Sequence, residues 1–216
     1  KVATPATIVR VGNVVAVDGA PVQPAKLELF RHYKKRGVLV THAPDSEGRR
    51  TLFEELKKMG MRPFLHAVGR LDYNSEGLLL LTTSGELAGA LAHPSLAWRR
   101  VYKVKANGLV DAHKVQRLQK PIRIDGTTYG PMKVNVTHKA NTNTWFEVTL
   151  HEGQNREIRR RFEFFGLTVA RIIRTHYGPF QLSGLEKGDV MSLPVTRPIL
   201  SALQQFRRLQ STTRIQ

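Results

Sequence analysis

Alternation of apolar and polar positions organises most of the chain. "GVLVTH" (37–42), "FLHAVG" (64–69), "GLLLLTT" (77–83), "WRRVYKVKANG" (98–108), "MKVNVTHK" (132–139), "TWFEVTLHEG" (144–153) and "LTVARIIRTHYG" (167–178) read as strands. Helical spacing marks five further segments. In "RRTLFEELKKMG" (49–60) Leu52, Leu56 and Met59 share a face and Gly60 supplies the stop. Ser84 caps "GELAGALAH", which Pro94 ends, and Asp111 caps "DAHKVQRLQK". "QNREIRRRFEFFG" (154–166) carries Ile158, Phe162 and Phe165 as one apolar stripe, and "RPILSALQQFRRL" (197–209) holds Pro198 in its first turn.

Strand pairs joined by loops too short for a crossover, with helices interspersed, predict an α+β domain on a large, mostly antiparallel sheet flanked by helices. Residues 1–25 break short β-branched runs with Gly12, Gly19, Pro21 and Pro24, the pattern of a strand-turn segment too small to bury a core of its own. The expected division is therefore 1–25 as an amino-terminal piece of a separate module and 26–216 as the main domain. The chain begins at Lys1 and shows no signal-like apolar segment, which is expected of a processed or trimmed start.

Charge narrows the function. With 34 Lys and Arg against 17 Asp and Glu, the chain carries a formal +17, and a protein this basic is expected to face a polyanion, nucleic acid before membrane. No apolar run approaches the ~20 residues that span a bilayer. The chain has no cysteine, which excludes disulfides and thiolate metal sites. Its 8 histidines are scattered singly, so neither a metal nor any other cofactor is expected.

One stretch calls for explanation. Gly69-Arg70-Leu71-Asp72 places two opposite charges directly ahead of four consecutive leucines that must be buried, and such charges are costly to desolvate unless paired or used. A second concentration of charge lies in the 154–166 helix, with Arg156, Arg159, Arg160 and Arg161, followed by Arg171 and Arg174. Arg159 and Arg161 sit next to the apolar stripe, so at least one is expected to border the core and to want a carboxylate. Asp72 would suit. An ionised Asp held by an Arg beside an apolar floor fits a nucleophile or general base, and fits as well an inert salt bridge, the commoner role of a buried Arg–Asp pair.

The segments "GRLDYNSEGLLLLTTSGELA", "RRVYKV", "EGQNREIRRRFEFFGLTVARIIRTHYGPFQL" and "DSEGRRTLFEEL" together resemble the ribosomal RNA pseudouridine synthases of the RsuA/RluB type over about residues 10–195. That resemblance implies a pseudouridine synthase fold and cofactor-free isomerisation of a uridine in ribosomal RNA, large-subunit RNA being favoured. It also implies roles: Asp72 as the catalytic carboxylate, Tyr102 as the ring stacked on the base, and Arg159 as the partner of Asp72. Ile158 would pack by the target base, and Asn155 and Arg156 would bind substrate beside it. Arg70 would either fill the gap left by the extruded base or clamp a phosphate. Residues 1–25 would be the last part of an S4-like RNA-binding module. Arg31, Lys34, Lys35 and Arg36 could extend the RNA track. The chain departs from the family pattern at Lys34-Lys35, where Lys-Pro is usual, which bears on loop geometry near the site.

A non-catalytic ribosome-assembly factor retaining the fold is the alternative reading. The expected partner is ribosomal RNA or a pre-ribosomal particle, with no membrane and no metal, and the free protein is expected to be a monomer. Bacterial cytoplasm and an organelle (mitochondrial) matrix are both compatible with the sequence.

Overall fold

The structure, a computed structural model, describes residues 13–22, 26–140 and 143–213. The amino-terminal strand-turn segment is seen as an exposed hairpin of β1 (Ala16–Val17) and β2 (Ala20–Pro21), turned by Asp18 and Gly19 at positive φ. The rest of the predicted 1–25 segment, residues 1–12 and 23–25, lies outside the described residues. The main domain then runs β3 (Leu29–Lys34), α1 (Leu52–Lys58), β4 (His66–Ala67), β5 (Glu76–Thr82), α2 (Gly85–Ala92), β6 (Arg100–Asn107) and α3 (Ala112–Gln119). A hairpin of β7 (Ile122–Ile124) and β8 (Thr127–Tyr129) follows, then β9 (Lys133–Lys139), β10 (Asn143–Leu150), α4 (Glu157–Phe164), β11 (Thr168–Tyr177), β12 (Phe180–Gln181), β13 (Val190–Leu193) and α5 (Arg197–Thr213).

Nine strands form one sheet in the order β13-β3-β5-β11-β6-β10-β9, with β4 on β5 and β12 on β11. Every pairing in it is antiparallel except the contact of β11 with β5. The α+β expectation and the two predicted N-caps hold, Ser84 accepting from the Leu87 amide and Asp111 from that of Lys114; Thr51 with Glu54, not singled out in the sequence, closes a reciprocal box at the start of α1.

The four leucines are buried because β5 is central and covered on both faces. Leu79 and Leu81 enter a core with Leu52 and Leu56 of α1, Leu118 of α3, and Ile158 and Phe162 of α4. Leu78 and Leu80 enter a second core with Leu87 and Leu91 of α2 and Ile199 and Leu203 of α5. A strand buried on both faces reads as an uninterrupted apolar run instead of an alternation.

Several expectations are corrected. Residues 37–42 form no strand but an extended loop with one bridge, the Leu39 amide donating to the Arg50 carbonyl and the Leu52 amide to that of Leu39. Met59 is the exposed C-cap of α1 and does not join Leu52 and Leu56. The predicted 64–69 strand contracts to the two residues of β4. The reading of the sequence had no counterpart for β3, the β7–β8 hairpin, β12 or β13.

Candidate active site

Neighbouring strands place Lys34, Gly77, Arg174, Tyr102 and Val148 opposite one another in a row across β3, β5, β11, β6 and β10. Register partners share a face, so this row belongs to the side that α4 covers. The loop carrying Asp72 enters β5 at one end of the row, and the segment leading into α4 closes over it. Between them lies a cavity of about 310 Å³, within the range of small-ligand sites.

All seven residues singled out in the sequence line this cavity: Asp72, Tyr102, Arg159, Arg70, Ile158, Asn155 and Arg156. Arg70, Asn155 and Arg156 are exposed at its mouth, whereas Tyr102, Ile158 and Arg159 are buried in its wall. Leu71, Leu150 and Ile172 complete an apolar floor, and Arg100, Arg174, Tyr177 and Glu157 line it as well. A pocket with an aromatic ring, an apolar floor and several guanidinium groups suits a flat base carried on a phosphate backbone.

The link between Arg159 and Asp72 differs from the expected salt bridge. Arg159 donates from Nη1 to the Val169 carbonyl and from Nη2 to the Asn74 carbonyl, both at 3.0 Å, and no ion pair joins it to Asp72 among the described residues. Asp72 acts on it through space, favouring its charge against the burial that lowers its pKa. Arg159 therefore holds the backbone of the Asp72 loop.

Lys34 shares that task. Its side chain is fully buried, and Nζ donates to the carbonyls of Asp72 (3.1 Å), Ser75 (2.8 Å) and Lys35 (3.0 Å). The Ser75 amide bonds back to the Asp72 carbonyl, and the Gly37 amide takes the Tyr73 carbonyl at 2.8 Å. Each carbonyl from Asp72 to Ser75 thus has a donor, two buried cations supplying most of them. Burial pulls Lys34 down to about 8, with the Asp72 charge opposing the shift. Lys34 is consequently removed from the expected surface RNA track, as is Arg31, whose guanidinium is engaged by the Gln181 and Ser183 carbonyls.

Both arginines beside the apolar stripe of α4 are buried, as expected of at least one. Arg161 is fully enclosed and donates to the carbonyls of Gly130 (2.6 Å), Leu118 (2.5 Å) and Lys120 (2.8 Å), tying α4 to the end of α3 and to the turn after β8. Its carboxylate neighbour, Glu157, lies 3.4 Å away and is 2% exposed. Burial, reinforced by the Glu152 charge, pushes Glu157 up to about 7.

Sequence reasoning missed Arg174 and Tyr177 as site residues. Arg174 is 3% exposed, donates from Nε to the Leu78 carbonyl at 2.8 Å and lies 5.0 Å from the centroid of the Tyr177 ring. Their strand position gave a signal, since both fall on β11 in register with Tyr102 and Arg100. No group of three or more His, Asp or Glu residues able to hold a metal occurs among the described residues.

A carboxylate and an aromatic ring lining one cavity of a mixed sheet, among several guanidinium groups, fit an enzyme that acts on a base in nucleic acid. The profile of the family described as RNA pseudouridylate synthase matches residues 28–164, and the chain belongs to that family. An uncharacterised RNA pseudouridine synthase of Rickettsia felis is 44% identical over 186 residues, 86% of this chain and 79% of the relative. The ribosomal large subunit pseudouridine synthase B of Haemophilus influenzae is 39% identical over 183 residues, 82% of this chain and 51% of that protein. A crystal structure of a pseudouridylate synthase superposes with a TM-score of 0.66 at 22% identity, covering 84% of this chain and 74% of the other, which establishes the likeness of fold.

Proposed function

We propose that the protein converts one uridine of ribosomal RNA to pseudouridine, with Asp72 as the catalytic carboxylate. The observation that carries this reading is that Asp72, Tyr102, Ile158 and Arg159, contributed by three separate segments (the loop before β5, β6 and α4), line one base-sized cavity. The reaction breaks the bond between N1 of uracil and carbon 1′ of ribose and rejoins carbon 1′ to carbon 5, and it requires no cofactor. The Asp72 carboxylate, to which no group donates a hydrogen bond among the described residues, acts at the ribose as nucleophile or base. Tyr102 and Ile158 take the two sides of the uracil. Arg159 and Lys34 fix the loop from which Asp72 reaches the sugar.

The base must leave its stack to enter, at a cost of a few kcal/mol that is lowest in loops and irregular stems. Arg70, exposed at the mouth, occupies the vacated space, and Asn155 and Arg156 hold the flanking backbone. Large-subunit RNA is the favoured substrate because the synthases named for it share 36–39% identity with this chain. These are bacterial proteins, which supports action in a bacterial cytoplasm on free ribosomal RNA or an immature particle. We assign residues 26–216 to the catalytic domain and 1–25 to a partial S4-like RNA-binding segment, a division supported by the exposed β1–β2 hairpin lying apart from the nine-stranded sheet.

Carbodiimide mapping of ribosomal RNA from cells with and without the gene tests the reading. Loss of one modified site, restored by the wild type and not by Asp72→Asn, is expected. An unchanged map, with precursor particles accumulating and rescued by Asp72→Asn, would replace the enzyme by an assembly factor.

A further inference from the structure

Arg174 is a buried cation that the reading above leaves without a task. Among the described residues it has no carboxylate partner, and its Nη2 is enclosed without a hydrogen-bond acceptor. The neighbouring acid, Glu76, is in register with Ile173 on the opposite face, where Arg171 and Lys187 bind it. On Arg174's own face the row reads Lys34, Gly77, Arg174, Tyr102, Val148, with no acid in it. An enclosed guanidinium with a spare N–H is expensive unless an anion or strong acceptor meets it. Arg174 lines the catalytic cavity, beside the ring proposed to stack on the base.

Gly77 shows that the position is built. It has φ +107, and a β-carbon there would collide with the Arg174 carbonyl oxygen and lie 2.7 Å from its amide nitrogen. The parallel contact of β5 with β11 thus brings the Arg174 backbone against a strand that only glycine can form at this point. The Nε bond to the Leu78 carbonyl and the Tyr177 ring then fix the guanidinium plane.

We propose that Arg174 is a further catalytic residue, whose free N–H groups donate to a carbonyl oxygen of the target uracil and stabilise the anion formed when the base separates from the ribose. This rests on the pseudouridine synthase reading. When the bond from carbon 1′ to N1 breaks, the electron pair departs with the base and spreads over N1 and the two carbonyl oxygens. Arg174 binds that charge without giving up a proton, and the pair returns through carbon 5 when the new bond forms; the proton on carbon 5 then leaves and N1 takes one up, so the base is isomerised with no net gain or loss. Pre-placed donors in a dry site are most effective where charge develops during reaction. Arg156, exposed at the mouth, meets the RNA backbone, whereas an arginine enclosed in the wall meets the base.

The test compares Arg174→Met and Arg174→Lys with wild type in single-turnover reactions on a substrate RNA carrying either uridine or 5-fluorouridine at the target. Consumption of the target nucleoside is followed by mass spectrometry, and RNA affinity and melting temperature are measured alongside. Fluorine at carbon 5 stabilises the uracil anion by itself. Arg174→Met is therefore expected to lower the uridine rate about 100-fold, the fluorouridine rate by less, and RNA affinity not at all. Arg174→Lys, which keeps a cation near the Leu78 carbonyl, recovers part of the rate and carries the same comparison if the Met variant does not fold. Equal losses on both substrates, a loss confined to affinity, or an unchanged rate would overturn the proposal. Wild-type enzyme that leaves the uridine unconverted would refute the underlying reading instead.

Discussion

Replacing Lys34 by Met separates what the buried ammonium does for stability from what it does for the site. The substitution keeps the length of the side chain and removes three donated hydrogen bonds. The Asp72 carbonyl retains the Ser75 amide, so two acceptors, on Lys35 and Ser75, lose the donor that Lys34 gave them. At roughly 1–3 kcal/mol for each buried acceptor, the loss is about 2–6 kcal/mol. Removing the charge also returns its desolvation cost: a drop from 10.5 to about 8 corresponds to about 3 kcal/mol. The net effect is then between about −1 and +3 kcal/mol of destabilisation, so any fall in melting temperature stays below about 12 °C for a chain of this size. Nothing offsets the release of the Asp72 loop, and a displacement near 1 Å at reacting groups costs on the order of 100-fold in rate. Lys34→Met should therefore melt within that margin of wild type yet lose about two orders of magnitude in single-turnover rate. A variant that kept its rate while losing stability would refute the view that Lys34 positions the loop.

Further expectations follow from the same geometry. Because Lys34 titrates lower in the folded state, between about pH 8 and 10.5 the unfolded chain binds more protons, so stability rises with pH there; urea titrations should show this slope in wild type and not in Lys34→Met. Glu157 has the opposite sign: its folded pKa of about 7 lies above the ordinary 4.5, so its contribution is complete below pH 4.5 and is lost as pH rises through 7. Glu157→Gln should flatten that decline in the same titrations. Gly77→Ala drives a methyl group into the Arg174 backbone and should cost roughly 2–6 kcal/mol, read as a lowered denaturation midpoint.

Much of this was legible from residue order. The helix caps, the buried leucine run and the alternation in β6 and β10 follow from local periodicity, which the sheet then satisfies; in β9 only Val134 is buried and Val136 stays exposed. The 37–42 loop was misread because Val38 is buried and its neighbours are apolar, as in a strand, although its backbone finds only a single bridge. β3 escaped because its sequence, Leu-Phe-Arg-His-Tyr-Lys, inverts expectation: His32 and Lys34 face inward, and burial lowers His32 to about 4. Such polar burial is decided by partners more than 35 positions away, the Asp189 carbonyl for His32 and those of Asp72 and Ser75 for Lys34. The residues that line the cavity were singled out through family motifs, but their links were not legible. Arg159 meets the Asp72 loop through a backbone carbonyl, which no pattern of side chains encodes.

The most direct test of the central claim is single-turnover conversion of a ribosomal RNA fragment by purified protein, wild type against Asp72→Asn, with RNA affinity measured in parallel. The account predicts pseudouridine from the wild type, none from Asp72→Asn, and affinity that is undiminished when one negative charge is removed from a protein binding a polyanion. Near-normal turnover by Asp72→Asn would contradict it.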